Sequence, residues 1–296
     1  MLYNFSEQTI EMAMHRLKRL KRLNSTVRFH LLFGSRQLLF IPMIYDPFMF
    51  GSKYLKIPLS KVLHAINWIF LQAPGVFKLS LKINEAVTPL VKSGLLASTR
   101  NQIKQLGFDE LHVDYTPIAL WNLDSGIMNW YKHVGKHSDF DYLIFYESDI
   151  YSTKPLDSLY QKYASLYDAC FVDFEVPPRE WHFNRFPLGS RRATIKWLKK
   201  KGLSTTIYRS IFAGAMISRR CLEKLSKLGL DFSGSPYCQN EMRLPTVLSA
   251  LGFRVGRLDF PFVRYRPEFQ VNEIDANFEA GIFHPVKKAL APELLI

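Results

Sequence analysis

Cysteine is scarce in this chain of 296 residues, which holds only Cys170, Cys221 and Cys238. They show no CxxC spacing and no Cys/His metal spacing, which argues against a disulfide framework or a zinc module. A reduced, cytoplasmic setting is the simpler expectation. The two Asn-x-Ser/Thr sequons, at Asn4 and Asn24, are too common by chance to argue otherwise. Glycine-rich phosphate loops are missing too. Neither GxGxxG nor GxxxxGK[ST] occurs, so the dinucleotide fingerprint and the P-loop are both excluded. No apolar run is long and clean enough to span a bilayer. The nearest, VLHAINWIFLQAPGVF at 62–77, is short and interrupted. No apolar segment leads to a small-residue cleavage site, so no signal peptide is expected. Repeats and low-complexity tracts are absent. No RNP, zinc-finger or helix-turn-helix signature is present, so nucleic acid is not an expected partner.

Acidic residues are also in the minority, 26 against 39 Lys and Arg, for a net charge of +13. The excess is local. Residues 1–75 carry +7 and residues 179–209 carry +8, leaving the remainder at −2. An anionic partner is to be sought at those two segments. In the first, MAMHRLKRLKRL at 12–23 reads as a basic amphipathic helix. Met14, Leu17, Leu20 and Leu23 form a stripe, with Arg16, Lys18, Arg19, Lys21 and Arg22 on the other faces. Such a helix could lie on an anionic membrane surface or dock on the protein with its basic face in solvent. Residues 1–75 as a whole read as an extension, packed on the main domain or seated at the inner membrane face, with the main domain spanning 76–296.

What is abundant is apolar and aromatic sequence, 48% and 14% of the chain, enough for a large α/β core. From residue 77 the pattern is regular. FKLSLKI at 77–83 alternates like a strand. Thr88-Pro89 starts a helix that runs to Leu106 and stops at Gly107. ELHVDY at 110–115 is a second strand, and Thr116-Pro117 repeats the helix start. Ile127, Trp130, Tyr131 and Val134 share one helical face. YLIFYE at 142–147 is a third, buried strand, giving β-α-β-α-β. Further on, a helix begins at Pro155 and a strand covers 168–175. A basic, aromatic insertion spans 177–205, then strand and helix fill 207–225 around a mid-strand Gly214. A helix covers 240–253. A strand glycine marks close approach of a ligand or of another part of the chain.

The third strand stops abruptly at Glu147, Ser148 and Asp149. Charge at a buried strand's C-terminal end needs a partner, and open α/β sheets bind their ligands at that edge. Two carboxylates there suit a hard divalent cation carrying a diphosphate. ESD at a strand end resembles the Glu-x-Asp form of the Asp-x-Asp motif of GT-A-fold glycosyltransferases. FAGAMISR, NEMRLPTVLSALGF and GIFHPVK follow in an order that is similar to that of the bacterial members with a late His-Pro-Val-Lys element, over residues 77–288.

The resemblance implies a GT-A-like, Rossmann-type mixed sheet flanked by helices. It implies transfer of a sugar from a nucleotide-sugar donor to a hydroxyl of a glycan or lipid-linked acceptor, with Mn²⁺ or Mg²⁺. Asp149 would be the main metal ligand, Glu147 would bind the metal through water or contact the donor, and His284 would close the metal site. Gly214, Arg243 and Lys287 would lie at the donor, and Glu241 would take the acceptor's proton. Trp181, His182, Arg191 and Arg192 in the insertion would face the acceptor. The bland readings are a capping acid for Glu241, a loop histidine for His284 and a solvated helix end for Lys199–Lys201. Two alternatives stand beside this one. A nucleotidyltransferase on a similar fold is one, although no glycine- and lysine-rich loop follows Ile83. The other is a non-enzymatic basic protein of membrane surfaces or nucleic acid.

Overall fold

The computed structural model of the chain describes residues 1–5, 10–34, 93–108, 111–114, 123–181, 190–230, 232 and 240–287. The expected strand 77–83, both Thr-Pro helix starts and His182 lie outside these residues.

Strand β4 (Tyr142–Glu147) has the bounds its composition predicts. Leu143 and Phe145, two residues apart, face one apolar core, while Tyr146, the next residue, faces the other. A strand apolar on both faces must be covered on both. Its neighbour is the short strand β1 (Leu2–Phe5), paired in parallel with Tyr3 opposite Tyr146 and Asn4 opposite Glu147. Helix α1 (Ile10–Leu23) leads to β2 (His30–Gly34), parallel to β1 on its other side. Helix α2 (Ser93–Gln105) precedes β3 (Leu111–Asp114), which adds outside β2. Helix α3 (Leu123–His133) then returns to β4.

The second half adds the ribbon strand β5 (Tyr151–Ser152), α4 (Leu156–Ala164), β6 (Ala169–Glu175) and α5 (Ser190–Lys200). Next come β7 (Arg209–Ser218), α6 (Arg219–Lys227), α7 (Asn240–Ala250), β8 (Val255–Leu258), α8 (Val271–Ala276) and β9 (Ile282–Phe283). Among the described residues the main sheet has seven strands in the order β3-β2-β1-β4-β7-β6-β8, with β7 antiparallel to β4 and β6. The fold is thus the expected α/β class, a mixed sheet with helices on both faces. Helices α3, α6 and α7 pack on one face, and α1, α2 and α4 on the other.

The reading of residues 1–75 as an extension is corrected here. Its described parts, 1–5 and 10–34, are integral to the sheet, and β1 is a central strand. Helix α1 is the crossover between β1 and β2, and Ala13, Leu17 and Leu20 are buried in the second core. Burying a leucine fully is worth about 1.5–3 kcal/mol, so Leu17 and Leu20 of this stripe face the sheet. No helix among the described residues is long and apolar enough to cross a membrane. Asn24, just past α1, is buried. It accepts the Leu156 N–H at 2.6 Å and donates to the Leu20 carbonyl at 2.8 Å, tying α1 to the start of α4.

Two local features shape the site's edge. Gly214 has φ of +78°, a left-handed conformation that costs other residues about 1–2 kcal/mol. The β4–β7 ladder runs from Tyr142–Ser218 to Ile144–Met216, just short of that glycine. The last residues of β4 therefore keep β1 as their ladder partner. In α7, Pro245 cannot donate to the Glu241 carbonyl. The Ser210 hydroxyl donates to that carbonyl instead, at 3.0 Å, fixing the helix start against β7.

Candidate functional site

Glu147 is the last residue of β4, and Ser148 and Asp149 form a turn closed by Ile150 N–H donating to the Glu147 carbonyl at 3.0 Å. Strand alternation alone would not join the two carboxylates, because Asp149 lies beyond the strand; the turn brings it round. The distant partner arrives by a second route. β9 pairs antiparallel with β5, Tyr151 opposite Phe283, which carries the next residue, His284, alongside the acidic turn. Val286 N–H donates to the Asp149 carbonyl at 2.8 Å, and His284 N–H donates to the Phe262 carbonyl at 2.9 Å. The His284–Pro285 peptide is cis.

The result is a three-residue cluster. His284 Nε2 lies 3.3 Å from Asp149 Oδ1 and 3.6 Å from Glu147 Oε2. All three ligand atoms fall within 4.8 Å of one another. The other ring nitrogen, Nδ1, is 3.1 Å from the Arg264 carbonyl, which fixes it as the N–H donor and turns Nε2 toward the acids. Burial would lower the imidazole pKa. The hydrogen bond and charge of Asp149, then the charge of Glu147, outweigh it and hold the pKa above its ordinary value. Burial would likewise raise Asp149, but the His284 hydrogen bond and charge, with Lys287 and Arg16, bring it below. Two carboxylates and an imidazole whose second nitrogen is hydrogen-bonded form a set that could hold a divalent cation.

The remaining predicted residues divide. Lys287 is half-exposed, acts electrostatically on Asp149, and lies 3.9 Å from Glu268. Arg243 is not placed for a ligand. Its guanidinium is buried against Asp124 of α3, with Nε to Oδ2 at 2.7 Å and a second bond from Nη2 to Oδ1, and it lies over the Phe232 ring. Desolvating such a cation is costly unless it is paired, and this pairing spends its donors inside the protein. Gly214 is approached by protein, not held open: a Cβ there would stand 2.9 Å from the Tyr160 hydroxyl, which donates to the Gly214 carbonyl at 2.8 Å. Trp181 is 5% exposed within the first core, so its ring is packing rather than a stacking platform. On α5, Arg191 is half-buried and Arg192 exposed, and Lys199 and Lys200 sit in its solvated last turn. Glu241 is buried at the start of α7, with Oε1 3.4 Å from the Phe212 N–H and Tyr265 beside it. Asp173 and Glu175, toward the end of β6, are ion-paired with Arg257 and Arg209.

The residue that sequence reasoning missed is Arg16. It is buried, and its guanidinium donates to the carbonyls of Ser148 and Val286, directly beneath the cluster. The signal was there: Arg16 lies three residues from Ala13 and four from Leu20, on the stripe itself.

No protein-family model matches the chain, and no curated protein does. Among solved structures it is similar to glycosyltransferases. The galactosyltransferase LgtC, in complex with donor and acceptor sugar analogues, aligns over 86% of this chain and 72% of that one, at 10% identity and a TM-score of 0.36. The bifunctional glycosyltransferase WbbM aligns over 98% and 46%, at 7% identity and 0.43. Mouse xyloside xylosyltransferase 1 aligns over 96% of each chain, at 11% identity and 0.37.

Proposed function

We propose that this chain is a metal-dependent glycosyltransferase that moves a sugar from a nucleoside-diphosphate donor to an acceptor hydroxyl. One observation carries the reading. Two carboxylates at the C-terminal end of β4, in the mixed sheet, meet a histidine brought from over a hundred residues away, with its second nitrogen tied back. A structural ion pair has no need of a third charged group, whereas a cation carrying a diphosphate uses such a set.

In this reading Asp149 and Glu147 offer carboxylate oxygens and His284 offers Nε2. When bound, the divalent cation would neutralise the charge that builds on the departing diphosphate. Lys287, whose charge already reaches Asp149, would add to that neutralisation from the rim. The Arg264 carbonyl keeps a proton on His284 Nδ1, so Nε2 is the nitrogen a cation would engage, in place of the proton that the two carboxylates favour there. Glu241 is the candidate acceptor for the proton of the attacking hydroxyl. Its carboxylate is buried at the start of α7, where Oε1 faces the Phe212 N–H, and a carboxylate within reach of the hydroxyl could take that proton. Arg192 on α5 is an exposed cation available to an anionic acceptor, a glycan or a lipid-linked sugar.

The test is a screen of nucleotide sugars for metal-dependent hydrolysis and transfer, with Asp149→Asn beside the wild type. The expected outcome is turnover with Mn²⁺ or Mg²⁺ that falls about 100-fold or more in the variant, with its melting temperature retained. Full activity in excess chelator, or wild-type turnover by Asp149→Asn, would sink the reading. Glu241→Gln should remove transfer while leaving Mn²⁺ binding intact; unchanged transfer would dismiss Glu241 as the base.

A further inference from the structure

We infer that Arg16 is the positioning residue of the metal centre, holding the acidic turn and the His284 segment at the spacing a cation needs. The inference rests on the metal reading above. Helix α1 buries Ala13, Arg16, Leu17 and Leu20, and Arg16 is the one charged member of that face. A guanidinium taken out of water is costly unless its donors are satisfied. Here they are satisfied by main chain. One amino group donates to the Ser148 carbonyl, between Glu147 and Asp149, and the other to the Val286 carbonyl, two residues after His284. The planar fork of an arginine suits two acceptors held at a fixed separation.

Together with the Val286 N–H bond to the Asp149 carbonyl, this bridge ties the two ligand-bearing segments by backbone alone. The ligand oxygens and the imidazole stay available. Among the described residues no carboxylate lies within ion-pair distance of Arg16, although its charge acts on Asp149 and on the neighbouring Tyr3 and Tyr151. A positive charge so close would by itself oppose a divalent cation. Electrostatics and positioning therefore predict opposite signs when the residue is changed.

The experiment is an equilibrium titration of Mn²⁺ against the full chain, following free Mn²⁺ by electron paramagnetic resonance. Wild type, Arg16→Lys and Arg16→Met are compared, each with its thermal unfolding curve. Lysine keeps the charge but not the planar fork, and methionine loses both. Both variants should bind Mn²⁺ about 10–100-fold more weakly, the range for outer groups that orient metal ligands. Unchanged affinity in Arg16→Lys with tighter binding in Arg16→Met would overturn the inference in favour of simple repulsion. Lower melting temperatures with unchanged affinities would overturn it in favour of a role in stability alone. If Arg16→Met does not fold, Arg16→Lys decides. If neither folds, a stability role stands and the inference falls. No Mn²⁺ binding by the wild type would defeat the metal reading, and this inference with it; wild-type binding that both variants retain defeats this inference only.

Discussion

Removing one partner of the Asp124–Arg243 pair should be among the most damaging single changes in the chain. Asp124 is fully buried and accepts two bonds from the guanidinium, together with the Ser125 N–H at 2.9 Å. Asp124→Asn leaves the arginine charge buried without its counter-charge, and breaking a buried pair this way costs about 3–5 kcal/mol. At roughly 2 °C per kcal/mol for a large domain, the melting temperature should fall by about 6–10 °C. The double change Asp124→Leu with Arg243→Met removes both charges together. It should recover most of that loss, since an apolar replacement of similar volume is often neutral. The assay is thermal and urea unfolding of Asp124→Leu, Arg243→Met and the double, read as a cycle, with Asp124→Asn measured beside them. The contrary result is Arg243→Met with wild-type stability and lost nucleotide-sugar binding. That would mean the arginine is reserved for the donor and its pairing with Asp124 is incidental.

Gly214→Ala should cost about 1–2 kcal/mol from its positive φ alone, and more from the 2.9 Å approach to the Tyr160 hydroxyl; denaturant unfolding that shows no loss would refute the assignment of a left-handed residue there. Burial, with the charge of His133, pulls His112 down to about 4, and burial with nearby positive charge does the same to His30. Between the ordinary value of 6.5 and about 4 the unfolded chain binds these protons and the folded chain does not. Their contribution to stability is thus complete above pH 6.5 and is lost as pH falls toward 4. Melting temperatures measured from pH 7.5 to 4.5 should fall, and His112→Gln should flatten the slope; an equal slope in the variant would contradict this.

Much of the fold was legible where apolar runs are long or sharply bounded. YLIFYE matches β4 residue for residue, and the 168–175 and 207–225 segments give β6, β7 and α6 within a few residues. The meeting of His284 with Glu147 and Asp149 was an expectation of the resemblance, and periodicity could not have supplied it, because sequence carries no register between β5 and β9. The central strand β1 was not legible. Four residues, LYNF, are too few for alternation to register, and β1 earns its place through its neighbours β2 and β4. Helix α1 misled for a related reason. Its Leu/Met stripe has the pattern of a surface-seeking helix and of a crossover helix alike, and only the sheet beneath it decides between them. Arg243 and Gly214 were placed at the donor by family order. Their actual partners, Asp124 and Tyr160, are 119 and 54 positions away, a separation that local sequence does not encode.

The central claim is that Glu147, Asp149 and His284 together hold a divalent cation. Anomalous diffraction from crystals of the full chain grown with Mn²⁺ and a nucleoside diphosphate tests it most directly. The account predicts one strong peak within about 2.0–2.6 Å of an Asp149 oxygen and His284 Nε2, with the 3.3 Å Asp149–His284 contact opened to admit it. A peak elsewhere, or an Asp149–His284 contact left closed in saturating Mn²⁺, would contradict it.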